Sequence, residues 1–191
     1  MRTLVTLLVA SAVPLAVFIA ALPGAAQGEK PYTGLQERTV KALSEQQIAD
    51  LRAGRGMTLA LAAELNGYPG PTHVLENAYA LELTPQQQDL TKSLLEAMKG
   101  EAVPLGKRLI EQEEMLDQLF ATKTITPANL IAATQAIAQT QASLRQTHLK
   151  YHLSMMEVLS ADQISHYREL RGYTSKGDSM QFHQHVPKIN E

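Results

Sequence analysis

Two histidines, His148 and His152, are four residues apart in a segment whose apolar residues recur with a helical period. Residues with this spacing lie on one face of an α-helix, so both imidazoles can reach the same transition-metal ion. Met156 continues the same ridge one turn later and adds a thioether. Two imidazoles alone make a weak site, and further ligands have to come from elsewhere in the fold or from a second subunit. The candidates for these further ligands are His73, then Glu76 and Glu157.

A structural interpretation of His148 stays open beside the metal hypothesis. His148 lies on the apolar seam of its helix, between Leu144 and Met155, where a histidine can simply hydrogen-bond a neighbour. If a metal binds, zinc, copper, nickel and cobalt all remain open, because imidazole suits each of them. His183 and His185 form a second pair near the C terminus, where we expect only loose, nonspecific metal binding.

A short phrase that occurs three times predicts where the helices that position these residues begin. Each copy has a hydroxyl residue that can accept from the amide three residues later, and a glutamine that can reach back to the hydroxyl residue's own amide. Each copy therefore predicts a helix N-terminus. The residues of this helix-cap motif are Leu43, Ser44 and Gln47 in the first copy, Leu83, Thr84 and Gln87 in the second, and Leu159, Ser160 and Gln163 in the third.

The hydrophobic pattern predicts an all-α fold built around a long antiparallel helical hairpin with shorter flanking helices. Apolar residues recur at steps of three and four over two long segments, and only about six residues join them. Pro104 lies inside the first long helix, between Gly100 and Gly106, and predicts a bend there. The predicted helices span residues 37–53, 85–120, 127–158 and 161–170, with one or two shorter helices between 57 and 81.

The N-terminal residues have the pattern of an export signal. A basic residue at position 2 precedes an uncharged, mostly apolar run over residues 4–22, and small residues follow it. We expect cleavage after Ala26 and a periplasmic protein, although the run is nearly long enough to remain as a membrane anchor. The predicted organisation is a signal peptide over 1–26, a helical domain over 27–173 and a disordered tail over 174–191.

Composition excludes several function classes. The chain has no cysteine, which rules out thiol and disulfide chemistry. Its formal net charge is −2, so nucleic acid is not expected as a partner. No hydrolase, zinc-protease or phosphate-loop motif is present, and Gly54-Arg55-Gly56 lacks the residues that would make it a phosphate loop. We therefore do not expect an enzyme.

With its export signal, helical pattern and Leu-Ser/Thr-x-x-Gln phrases, the chain resembles the Spy/CpxP family of periplasmic proteins, also called the LTxxQ-motif family. The resemblance covers residues 43–172, and the copy at 83–87 matches the motif best. The segment from Gly54 to Leu75, with its Gly-Met, Asn-Gly and Pro-Gly-Pro dipeptides and tripeptides, resembles a subgroup signature beyond the general motif.

The resemblance implies a curved helical hairpin that dimerises into a cradle and works without ATP. Some members of the family are chaperones, some restrain a membrane stress-sensor kinase, and related proteins sense or bind metals. Our first expectation is a chaperone that binds unfolded envelope proteins on an apolar concave face, and the alternative is a heavy-metal sensor or metal-binding protein. The expected client-binding residues are Met57, Met98, Leu105, Leu109, Met155 and Met156.

Overall fold

The computed structural model describes residues 30–173. The predicted export signal and the tail, with His183 and His185, lie outside the described residues. By contacts the chain divides into two units, Met1–Thr33 and Gly34–Glu191. Of the first unit only residues 30–33 are described, and they form a turn in which the Thr33 amide donates to the carbonyl of Lys30.

In the second unit the described residues contain helices and no strands, which confirms the all-α fold. A single 3₁₀ turn, Leu35–Glu37, precedes the α-helices. Within residues 30–173, none of the helices combines the length and the apolar character needed to cross a membrane. The α-helices are α1 (Glu45–Arg52), α2 (Leu61–Glu64), α3 (Pro71–Glu76), α4 (Pro85–Ala121), α5 (Pro127–Val158) and α6 (Ala161–Leu170).

The three repeated phrases each form a reciprocal cap in the structure. Ser44, Thr84 and Ser160 accept from the amides of Gln47, Gln87 and Gln163, and each glutamine side chain accepts from the hydroxyl residue's amide. α1 begins after Ser44 and not near residue 37 as expected, because this cap fixes its first turn. A fourth reciprocal cap, between Thr126 and Asn129, opens α5.

α4 and α5 form an antiparallel hairpin, since residues near the start of α4 meet residues near the end of α5. Gln87 donates to the carbonyl of Val158, and the carboxylate of Glu101 accepts from Lys150 at 2.7 Å and from Tyr151 at 2.9 Å. α4 stays helical through Pro104 without interruption.

Two apolar clusters lie along this hairpin. The first packs α1 against the middle of α4 and α5. The second packs α3, α6 and the links around them against the end of the hairpin where α4 starts and α5 finishes. The first contains Val40, Leu51, Ala102, Leu109, Ile110, Ile137 and Leu144, and the second contains Val74, Leu81, Leu83, Met155, Leu159 and Tyr167.

Candidate metal-binding pocket

A pocket of about 710 Å³ lies between the segment of residues 53–76, α4 and α5, and the end of α6 contributes to its wall. α5 contributes both histidines of the predicted metal pair, so the structure brings His148 and His152 together with the glycine-rich segment. The other imidazole, carboxylate and thioether side chains in the wall belong to Met57, Glu64, His73, Glu76 and Met98.

His152 is oriented by the backbone of the glycine-rich segment. Its Nδ1 lies 2.7 Å from the carbonyl oxygen of Tyr68. A carbonyl can only accept, so Nδ1 carries a proton, and in the neutral form of the ring the lone pair is on Nε2. Gly70 lies against this side of the ring, because a Cβ added there would be 3.0 Å from Nε2. The hydrogen bond at Nδ1 therefore makes Nε2 the nitrogen of His152 that could bind a ligand.

His148 is buried, with 2% of its surface exposed. Its Nε2 is buried and has no hydrogen-bond partner among residues 30–173. On the other side of the ring, Gly56 is so close that an added Cβ would be 3.1 Å from Nδ1. Burial, together with the charge of nearby His152, lowers the pKa of His148, so the imidazole is neutral at pH 7. A neutral imidazole is the form that binds metals.

Glu64 is a buried carboxylate that holds the C-terminal end of α6 against α2. One oxygen, Oε1, accepts from the hydroxyls of Tyr167 and Tyr173 and lies 3.4 Å from Nε of Arg171. The other oxygen, Oε2, accepts no hydrogen bond from residues 30–173 and lies 3.8 Å from Nδ1 of His152. Burial and then the neighbouring Glu64 raise the pKa of Tyr167, so this hydroxyl keeps its proton. Glu64 therefore faces the protonated side of His152 and not its free nitrogen.

The further ligands expected from the sequence lie in different places. His73 and Glu76 are in the pocket wall, but they pair with each other at 2.9 Å and are substantially exposed. Met156 and Glu157 do not line the pocket. Met57 and Met98, two of the expected client-binding residues, line the pocket.

Several residues expected to bind clients are inside the subunit. Met155 belongs to the second apolar cluster and Leu109 to the first, and Met98 is 6% exposed. These three side chains therefore offer almost no exposed surface to a client. Leu105 and Met156 are half-buried, and Met57 is 41% exposed.

The donor set decides which kinds of metal the pocket fits. Among residues 30–173 no three side chains of the types His, Cys, Asp and Glu are grouped closely enough to hold an ion. Two imidazoles, one with an unpartnered nitrogen, nevertheless provide two neutral ligands from one helical face. The residues therefore fit an ion that accepts two imidazoles and donors of another type.

Sequence reasoning missed Glu64, the carbonyl of Tyr68, and the two glycines that press against the histidine rings. All of them lie in the segment from Gly54 to Leu75 that resembled a subgroup signature. That signal could have found them, because a segment rich in glycine and proline between helices indicates close backbone approach to something it packs against.

Comparison with known proteins gives one finding. A family model described as heavy-metal resistance matches residues 56–165, more than half of the chain, and this range contains Gly56, Gly70 and both pocket histidines of α5. No curated protein and no solved structure matches the chain. The chain belongs to the heavy-metal resistance family, which is related to the Spy/CpxP-like helical proteins.

Proposed function

We propose that this protein binds heavy-metal ions through His148 and His152 and acts in the periplasm as a metal-responsive sensor or metal buffer. The observation that carries the proposal is the buried Nε2 of His148, which has no partner among residues 30–173, one helical turn from a second imidazole that uses Nδ1 for its hydrogen bond. The family to which the chain belongs supports it, and the export-like pattern of residues 1–26 supports the location.

The energetics favour a ligand at His148. A buried polar nitrogen without a partner costs about 1–3 kcal/mol. A leucine of similar size at this position of α5 would avoid that cost. A metal ion would give the nitrogen a partner, which explains why the helix carries a histidine there. No proton has to leave His148 first, because burial lowers its pKa and keeps the ring neutral.

The surrounding residues prepare the pair without binding the ion themselves. The Tyr68 carbonyl holds His152 in one tautomer and one orientation, as the hydrogen-bonded partners of metal-binding histidines commonly do. Gly56 and Gly70 let the backbone approach both rings closely. A bound transition metal would supply a positive charge shared by the two imidazoles, and we propose a binding role and not a catalytic one.

The chaperone hypothesis has less support, because three of its six expected contact residues are buried in the subunit. The chaperone activity can be tested directly. Aggregation of a chemically unfolded client would be followed by light scattering with and without a stoichiometric excess of the protein, and unchanged aggregation would exclude that activity. The dimer and the kinase partner stay predictions of the resemblance.

The metal proposal is tested by calorimetric titration of the full chain with zinc, copper(II), nickel and cobalt, and with copper(I) under anaerobic conditions. The protein would carry His183→Ala and His185→Ala, so that the second histidine pair makes no contribution. We expect one equivalent of at least one ion to bind more tightly than tens of micromolar, and this binding to be lost in the double variant His148→Gln, His152→Gln.

The control is His166→Gln. His166 lies on α6, is half-exposed and pairs with Glu169 at 3.5 Å, outside the pocket. This control should bind metal like the parent protein. If no ion binds in this range, or if the double variant binds as tightly as the control, the proposed function is wrong. Thermal unfolding of each variant shows that a loss of binding is not a loss of folding.

A further inference from the structure

We propose that the pocket is selective for a soft monovalent ion, copper(I), and that the thioethers of Met57 and Met98 join the imidazoles of His148 and His152 as its ligands. This inference rests on the proposed metal binding and names the class of ion and the remaining ligands. Three features of the pocket support it: the donors in its wall, the backbone at Met57 and the charges around the site.

Apart from the two histidines, the charged nitrogen and oxygen donors of the pocket are paired with other side chains or face a protonated nitrogen. Glu64 is held by two tyrosine hydroxyls and Arg171, and its free oxygen faces the protonated nitrogen of His152. His73 and Glu76 pair with each other near the surface. Zinc takes four ligands of the types nitrogen, oxygen and thiolate, and no third such side chain is grouped with the two histidines in the described part of the chain.

Thioethers are the remaining donors, and they select soft ions such as copper(I). Met98 is buried in the wall of the pocket, yet it belongs to neither apolar cluster. The other well-buried methionine, Met155, has an evident packing role in the second cluster. Met98 thus lines the same pocket as the two histidines without belonging to either apolar cluster.

The backbone at Met57 points to the same site. Met57 has a φ of 48°, in the left-handed region that residues other than glycine adopt only at a cost of order 1–3 kcal/mol. Gly54, three residues earlier, also has a positive φ, of 65°. Gly56 lies directly against the His148 ring, and the next residue, Met57, is in the pocket wall. Such strain is often found at functional sites, and here the strained residue directly follows the glycine that contacts the His148 ring.

The charge of the pocket favours a monovalent ion. Its wall holds three cations, Arg55, Lys99 and Arg171, and two carboxylates, Glu64 and Glu76. These cations pair with carboxylates, Arg55 with Asp50 at 2.6 Å, Lys99 with Glu96 at 3.4 Å and Arg171 with Glu64 at 3.4 Å. Among the described residues of the wall, no unpaired carboxylate therefore compensates the charge of a divalent ion bound by two neutral imidazoles, which would keep both charges in a partly buried site. Copper(I) with four neutral ligands brings a single charge.

The test is an anaerobic competition titration of copper(I) between the full chain and a chromophoric copper(I) chelator, with silver(I) as a redox-inert probe. The parent protein carries Met180→Leu, His183→Ala and His185→Ala, which removes the donors of the C-terminal segment. In this background Met57→Leu and Met98→Leu are each compared with a matched control. Met115→Leu is the exposed control and Met155→Leu is the buried one.

We expect each pocket variant to lower copper(I) affinity at least about tenfold, as the loss of even an outer-shell partner commonly does, and each control to leave it unchanged. X-ray absorption of the copper(I) complex should show sulfur neighbours that decrease in the pocket variants. Equal affinity in pocket variants and controls, or a copper(I) spectrum with nitrogen neighbours alone, would overturn the inference. Metal binding that still depends on His148 and His152 in that case would leave the proposed function intact.

Discussion

The side-chain amides of Gln87 and Gln163 hydrogen-bond each other twice, at 2.8 and 3.1 Å. Each amide also donates to a backbone carbonyl at the end of a neighbouring element, Gln87 to Val158 and Gln163 to Leu81. Two copies of the repeated phrase, far apart in sequence, therefore meet in space. The glutamine of this phrase does more than cap its own helix, because it ties the start of α4 to the junction of α5 and α6.

Replacing Gln87 should cost more stability than replacing the equivalent glutamine of α1. Gln87→Ala removes the return bond of the cap, the bond to Val158 and the pairing with Gln163, and we expect a loss of about 2–3 kcal/mol. Gln47→Ala removes only the return bond to Ser44, and we expect about 1 kcal/mol or less. Urea unfolding followed by circular dichroism measures both.

A double-mutant cycle of Gln87→Ala and Gln163→Ala isolates the pairing. We expect a coupling free energy of about 0.5–3 kcal/mol between these two positions. The same cycle between Gln47 and Gln163 should give none, since these two side chains bond only within their own caps or to other partners. Additive losses at positions 87 and 163 would show that the paired geometry contributes nothing to stability.

The elements of this fold could be predicted from the sequence because their signals are local. The hydroxyl and glutamine of each phrase act over four residues, and the bounds of α5 and α6 follow from Thr126-Pro127 and Ser160. The meeting of Gln87 with Gln163 could not be predicted, because the pairing depends on how two distant helix starts pack together.

The features of the site also separate into local ones, which the sequence predicts, and tertiary ones, which it does not. The spacing of His148 and His152 on one helical face is a local property, and the sequence contains it. Which methionine lies near them is a tertiary property. Met156 follows His152 by one helical turn, but the packing of α5 against α4 brings Met98 to the pocket wall instead. The hydrogen bond from His152 to a backbone carbonyl has no side-chain signal at all, so only the structure shows it.

Two glycines of α4 should respond to alanine in opposite directions. Gly106 is where α1 crosses α4, and an added Cβ would overlap the Leu51 carbonyl oxygen and lie 2.9 Å from its carbon. Gly106→Ala should lower the free energy of unfolding by about 2–3 kcal/mol, because α1 has to move. Gly100 has nothing within 4 Å of an added Cβ, so Gly100→Ala should raise it by about 0.5–1 kcal/mol through helix propensity. Thermal and urea unfolding distinguish the two, and similar effects at both positions would contradict the close crossing.

Gly70 should control metal binding through the orientation of His152. Its φ is −92°, so alanine is compatible with the backbone, but its Cβ would lie 2.8 Å from Cε1 of the ring. We expect Gly70→Ala to displace the imidazole and weaken its bond to Tyr68, lowering metal affinity about 10–100-fold. Calorimetry measures the affinity, and the chemical shift of the His152 Nδ1 proton reports the bond. Gly100→Ala is the control, and unchanged affinity in Gly70→Ala would show that the ring orientation does not matter for binding.

Stability at alkaline pH should depend on Tyr167. Burial and the Glu64 carboxylate raise the pKa of its hydroxyl in the folded protein, whereas a tyrosine in the unfolded chain titrates near pH 10. The contribution is therefore fully present below about pH 10. Above that pH the unfolded chain releases the proton and the folded protein keeps it, so the free energy of unfolding should fall by about 1.4 kcal/mol per pH unit from this group.

Tyr167→Phe has no such proton, so the difference in unfolding free energy between wild type and this variant should shrink as the pH rises from 9.5 to 11. Tyr79→Phe is the matched control, because Tyr79 is 97% exposed and its difference from wild type should not change with pH. Urea unfolding at several pH values measures all three proteins. Other groups that titrate in this range, such as lysines, cancel in the differences. A difference between wild type and Tyr167→Phe that stays constant up to pH 11 would mean that burial and Glu64 do not raise the pKa of the Tyr167 hydroxyl in the folded protein.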